Sequence, residues 1–281
     1  VIVIGNIAVG GTGKTPFLIW LASQLRASGW NPGVVARGYG GRALQWPQVV
    51  RPDSDPLQVG DEPVLIAQRT GCPVVVAPDR PAAARELLAA GVDVILSDDG
   101  LQHYRLARDL EIAVIDGTRG LGNGCMLPAG PLREPVARLG EVGLVVVNGS
   151  GWSTPLGRQV RMRLRSSEAL ALAGGGRATL AQFEGRTVHA VAGIGNPARF
   201  FSMLSRHGIR LVMHPFPDHH PFRARDLDFG DELPVLMTEK DAVKCTGFAR
   251  PHHWCVPVDA QFVPEDVALV QELTAALRRR D

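Results

Sequence analysis

The residues best suited to chemistry stand at the start of the chain. Gly10-Gly11-Thr12-Gly13-Lys14-Thr15 follows the apolar run Val1-Ile2-Val3-Ile4 and precedes a helical pattern from Pro16 to about Ala27. Strand, glycine loop, Lys-Thr and helix make the layout of a P-loop. In that layout the glycines let backbone N–H groups turn onto phosphate oxygens, and the helix N-terminus adds partial positive charge. Lys14 reaches the β- and γ-phosphates, and the Thr15 hydroxyl holds Mg²⁺. Ala8 replaces the first glycine of the usual pattern.

Carboxylates and histidines complete the set. The apolar stretch Val92 to Ser97 runs into Asp98-Asp99-Gly100-Leu101-Gln102-His103. A strand that ends in acid is the Walker B arrangement: it brings a carboxylate beside the phosphate loop to bind Mg²⁺ directly or through water. Paired aspartates also make turns. Asp61, in Gly60-Asp61-Glu62-Pro63, reads both as a helix N-cap and as a general base at the mouth of a sheet. In Phe216-Pro217-Asp218-His219-His220-Pro221-Phe222 the two histidines, if in a strand, face opposite sides, so they do not both serve one site.

These side chains need a sheet to bring them together. Short apolar strands are expected over 31–36, 73–77, 92–97, 111–115 and 142–147, with helices between them that end at Gly29 and Gly91. Strands this apolar indicate a parallel sheet covered on both faces, which binds ligands at its carboxyl edge. The loop Arg37-Gly38-Tyr39-Gly40-Gly41-Arg42 reads equally as an anion-holding flap and as a solvated loop. Asn148 to Pro155 reads as a linker. Beyond it, Val160 to Arg165 alternates apolar and basic. A second unit follows, with strands at 187–192, 210–213 and 234–237 and a closing helix over 265–280. The fold class is therefore α/β: a P-loop NTPase-like domain with a mostly parallel sheet over residues 1–150, and a second, smaller α/β domain over 151–281.

Composition narrows the function. A net charge of +2 over 281 residues does not point to a nucleic-acid partner. Four cysteines without a Cys-x-x-Cys pair fit a reduced, cytosolic protein. No run of about 18 apolar residues spans a membrane. The chain opens without Met and inside a strand, which predicts a preceding segment. Only three of the 30 basic residues are lysines, Lys14, Lys240 and Lys244. Two rival readings are a nucleotide switch and a partition-type ATPase. The first lacks the Asn/Thr-Lys-x-Asp run that reads guanine. The second needs a lysine where Val9 stands.

Taken together and in order, several stretches resemble the tetraacyldisaccharide 4′-kinase family, the lipid A 4′-kinases of Gram-negative bacteria. They are Gly10 to Pro16, Arg37 to Gly41, Gly60 to Pro63, Asp98 to His103, Pro128-Ala129-Gly130-Pro131-Leu132-Arg133-Glu134-Pro135, Gly193 to Pro197, Asp218-His219 and Thr238 to Ala242. The resemblance implies ATP and Mg²⁺ as cofactors and lipid A disaccharide 1-phosphate as acceptor. It implies a peripheral site of action on the cytoplasmic face of the inner membrane. It also implies a β linker between the two domains and closure of the second over the active-site cleft. By the same resemblance Asp61 and His219 are the paired acid/base residues, while Asp99 and Glu134 lie near the metal with Asp98 beside them. The family's apolar N-terminal membrane-surface helix has no counterpart in these 281 residues.

Overall fold

The computed structural model describes residues 1–277. Its strands, in chain order, begin with β1 (Ile2–Gly5), β2 (Pro32–Ala36), β3 (Gln48–Val50), β4 (Val74–Val76), β5 (Val94–Ser97), β6 (Leu110–Asp116), β7 (Leu144–Asn148) and β8 (Gln159–Arg165). They continue with β9 (Glu168–Ala171), β10 (Arg177–Thr179), β11 (Thr187–Ala192), β12 (Arg210–Pro215), β13 (Val235–Thr238), β14 (His253–Val256) and β15 (Asp259–Gln261). The helices are α1 (Lys14–Ala27), α2 (Pro56–Val59), α3 (Asp61–Thr70), α4 (Arg80–Ala89), α5 (Pro197–Ser205), α6 (Glu239–Cys245) and α7 (Pro264–Ala275).

The first sheet runs β15-β8-β7-β6-β1-β5-β2-β4-β3. From β4 across to β8 every pairing is parallel, and β3 at one edge is antiparallel. β1, β2, β4, β5 and β7 are buried at every residue, as apolar runs covered on both faces must be. Phe17, Leu18, Leu21 and Leu25 hold α1 on this sheet through one buried stripe. β1 lies between β5 and β6, so the phosphate loop leaves the sheet beside the Asp98-Asp99 turn.

The second sheet runs β10-β9-β14-β13-β11-β12, parallel from β14 to β12 and antiparallel at β9 and β10. Strand alternation serves two cores here. Val188, Ala190 and Ala192 meet Phe200, Phe201 and Leu204 of α5, whereas Val191 meets Phe222, Leu227 and Met237.

Several expectations shift. The chain divides into Val1–Leu164 with Asp259–Asp281 as one unit and Arg165–Val258 as the other, whereas the sequence put the boundary near 150. The reason is β8, which pairs with β7 and so extends the first sheet past the expected linker. α1 begins at Lys14 rather than Pro16, because Gly13 at φ 96° takes the N-cap. Gly60 caps α3, so Asp61 is not the cap but the first helical residue. His219 and His220 lie in a turn after β12, not in a strand, and His219 has φ 60°. α7 ends at Ala275 and buries Val270 and Thr274. The end of the closing helix expected over 265–280, from 278 on, lies outside the described residues.

Candidate active site

The phosphate loop is held by its carbonyls. Asn6 Nδ2, just past β1, donates to Gly10 O at 3.3 Å. Arg119 Nη2, just past β6, donates to Gly11 O at 3.1 Å. Asn148 Nδ2, at the end of β7, donates to Thr12 O at 2.9 Å. Phe17 N–H in α1 donates to Gly13 O at 3.2 Å. A planar peptide points its N–H opposite its C=O. Fixing four carbonyls from three adjacent strand ends and the helix therefore turns the amides of Gly11 to Lys14 the other way, as an anion cradle at a helix N-terminus requires. Gly13 permits this: a Cβ there would lie 2.5 Å from Asn148 Nδ2.

The acid-tipped strand supplies two unlike carboxylates. Asp99, at φ 47°, receives both Arg133 Nη atoms at 2.8 and 3.2 Å and lies 3.2 Å from Lys14 Nζ. Burial works against its charge, but Arg133 and Lys14 outweigh burial and hold the carboxyl well below the usual carboxylate range. Asp98 is 5% exposed, and its Oδ1 has no hydrogen-bond partner. Burial, and then the negative charge of Glu62 on α3, push it from 3.8 up to about 7 against the pull of Lys14. Arg80, buried at the start of α4, donates to Asp99 O at 3.1 Å. A buried oxygen with no donor, in a field of excess negative charge, suits a divalent cation.

Glu134 is occupied differently. Tyr104 OH donates to its Oε2 at 2.8 Å, Arg138 Nε donates to the same atom at 3.1 Å, and Gln102 Nε2 donates to Oε1. Arg138 in turn grips Glu111 at 2.6 and 2.7 Å. Arg133 and Glu134 thus do separate jobs: Arg133 ties Asp99 to Asn6, and Glu134 anchors the Gln102–Tyr104 turn to a buried ionic frame. Among the described residues no three His, Cys, Asp or Glu side chains converge as a metal cage. Asp61 is buried, with Oδ1 accepting the Glu62 N–H at 2.9 Å. The Arg37–Arg42 loop is fastened to α2 and the Gly60 that follows it. Arg42 N–H and Ala43 N–H donate to Leu57 O and Gln58 O, and a Cβ at Gly60 (φ 94°) would lie 2.8 Å from Tyr39 O.

The second unit separates the two histidines. His219 Nε2 lies 3.3 Å from Lys240 Nζ, which also donates to Asp218 Oδ1 at 3.2 Å. His220 instead pairs with Asp226 at 3.2 Å and packs against the rings of Phe216 and Phe222. The neighbour of Lys240, Asp241, is fully buried and saturated. It accepts from Gly193 N–H at 2.8 Å, Thr238 Oγ1 at 2.6 Å and Lys244 Nζ at 3.0 Å.

The family described as LpxK, tetraacyldisaccharide-1-P 4′-kinase, matches residues 1–278. The chain belongs to this family. The tetraacyldisaccharide 4′-kinase of Alkalilimnicola ehrlichii is 57% identical over 284 residues, which cover 99% of this chain and 82% of that relative. The enzyme of the same name from Nitrosococcus oceani is 54% identical over 277 residues, covering 97% and 81%. A crystal structure of LpxK from Aquifex aeolicus in complex with ATP superposes with a TM-score of 0.78 at 26% identity, covering 97% of this chain and 87% of that one.

The chain is therefore an ATP-using kinase of lipid A biosynthesis on a P-loop α/β fold, and the comparisons favour this over the switch and partition readings. For this 4′-kinase the structure brings Lys14 and Asp99 together and places Asp98 in the same field of charge. It gives Glu134 to a different set of partners. Asn6, Arg80, Arg119 and Asn148 escaped the sequence reading. One signal was present: Asn148 ends an apolar strand with a polar side chain, as Asp98 follows one.

Proposed function

We propose that this chain transfers the γ-phosphoryl group of ATP to the 4′-hydroxyl of a tetraacyldisaccharide 1-phosphate at the cytoplasmic face of the bacterial inner membrane, which it meets as a peripheral protein. No helix among the described residues is long and apolar enough to cross a membrane. One observation carries the reading: a phosphate loop whose carbonyls are all held, in a chain that matches the family from residue 1 to 278.

The residues divide the work. The amides of Gly11 to Lys14 and the Lys14 ammonium hold the phosphate tail and meet the charge that grows on the transferred group. Asp99 and Arg133 keep Lys14 at the loop. Thr15 and Asp98 are the residues that would hold Mg²⁺, Asp98 through its unpartnered oxygen, with Asp99 beside them. When bound, the ion supplies positive charge that offsets the negative charge on the phosphates. Glu134 belongs to this metal region through the frame it anchors. Asp61 accepts the proton of the attacking hydroxyl. His219 is proposed as its partner, which keeps that carboxylate ionised and oriented.

The test is transfer of labelled phosphate from ATP to the purified acceptor, with the modified hydroxyl located. Asp61→Asn should lower kcat by about 10²–10⁴-fold while ATP affinity stays near the wild-type value. Near-normal turnover would remove Asp61 from this role. ATP consumption indifferent to the acceptor would point back to a switch.

A further inference from the structure

The carbonyl face of the phosphate loop carries a cation whose exposed part phosphate binding leaves unexplained. Arg119 sits there with its guanidinium fixed. Its Nε pairs with Asp116 Oδ2 at 3.4 Å, and Nη2 donates to Gly11 O. Asp116 is itself buried at the end of β6, where Oδ1 accepts the N–H groups of Thr118 and Arg119 at 2.9 and 3.4 Å. The guanidinium turns its Nη edge to Gly10: a Cβ there would meet Nη1, Nη2 and Cζ at 2.7, 3.1 and 3.4 Å. Gly10, at φ 98°, thus has two reasons to lack a side chain, its backbone conformation and this contact.

The Arg119 side chain is still 44% exposed. It borders a cavity of about 330 Å³ whose other walls include Ala8, Val9, Ile115 and Pro131. The Gly11–Thr12 peptide decides what belongs there. Its C=O points at Arg119, so its N–H points to the opposite side, where the phosphates are held. A nucleotide therefore offers this face its uncharged, planar end. A guanidinium fixed at its Nε and Nη atoms yet still partly exposed, beside apolar walls, fits an aromatic ring by stacking and cation–π attraction.

We propose that Arg119 is the platform on which the adenine ring of ATP stacks, with the adjoining cavity as its pocket. This rests on the reading that Gly10 to Thr15 hold the triphosphate. Arg119 then does two things with one side chain: it pins the loop carbonyl and seats the base.

The experiment compares binding of ATP and of inorganic tripolyphosphate, by calorimetry, in wild type, Arg119→Ala and Arg119→Lys. Arg119→Ala should weaken tripolyphosphate somewhat, because the Gly11 carbonyl loses its donor, and weaken ATP by about 3- to 30-fold more than that. Arg119→Lys, which keeps the charge but loses the plane, should fall between. Magnetisation transfer in wild type should run from the Arg119 Hδ protons to adenine H2 or H8. Equal losses for ATP and tripolyphosphate, unchanged ATP affinity in Arg119→Ala, or no transfer to the base would each overturn the platform. If wild type fails to hold tripolyphosphate, the phosphate-loop reading falls first and takes the platform with it.

Discussion

Asp98 and Asp241 occupy matching places and lead opposite lives. Each lies just beyond the carboxyl end of an interior parallel strand, β5 in one unit and β13 in the other, and each has a lysine within its electrostatic reach. Asp241 has a donor for both oxygens and acts as a knot that ties β11, β13 and α6. Asp98 keeps one buried oxygen with no donor and a second acid, Glu62, close enough to oppose its charge. Folding alone would favour the saturated arrangement, since a buried acceptor left unsatisfied costs about 1–3 kcal/mol. The contrast teaches how to tell a structural carboxylate from one reserved for a ligand: by what its lone pairs lack, not by its burial.

The largest effect should come from deleting each carboxylate in turn. Asp98→Ala should reduce phosphoryl transfer by about 10²–10³-fold, with no fall in thermal midpoint. Asp241→Ala should take the carboxylate away from the buried Lys244 ammonium and from the Gly193 and Thr238 donors, and destabilise the protein by about 3–5 kcal/mol, measured by urea unfolding. A stable Asp241→Ala protein, or an Asp98→Ala protein that unfolds easily, would erase the contrast.

A smaller effect concerns pH. Folding raises the Asp98 pKa from 3.8 to about 7 in the metal-free protein, so the native state binds a proton that the unfolded state releases. That contribution is complete near pH 4 and is lost as pH rises through about 7. In the second unit, burial first and then the charges of His252 and Arg250 push His253 from 6.5 down to about 4. There the unfolded state binds the extra proton, so stability is complete above about pH 6.5 and is lost as pH falls toward 4. Urea midpoints from pH 4 to 8 should show the first slope removed by Asp98→Asn and the second reduced by His253→Phe. Slopes of the same sign would break the pairing.

Much of the first unit was legible because its signals are local. The glycine loop, the acid after β5 and the apolar strands are each written in a few consecutive residues. What escaped is written across the chain. Arg119 and Asn148 reach the loop from more than a hundred residues away. Glu134 meets Tyr104 and Gln102 across a gap of about thirty. The histidine pair was misplaced because strand alternation was applied to a turn, where φ 60° at His219 breaks any two-residue period. The unit boundary was misread because a Gly/Ser/Pro-rich segment looks like a linker even when the next strand returns to the same sheet.

The return of β15 to the edge of β8 carries a consequence for biosynthesis. A ribosome delivers β8, then the whole of Arg165–Val258, and only afterwards the strand that covers β8's open side. Until then Trp20, whose ring packs at a tilt against Phe262 with centroids 4.2 Å apart in the finished protein, lacks that cover, and so does the flank of α1 beneath it. Nascent chains stalled before Gln261 should therefore be the sticky ones, and a chaperone that grips exposed tryptophan would find its client there.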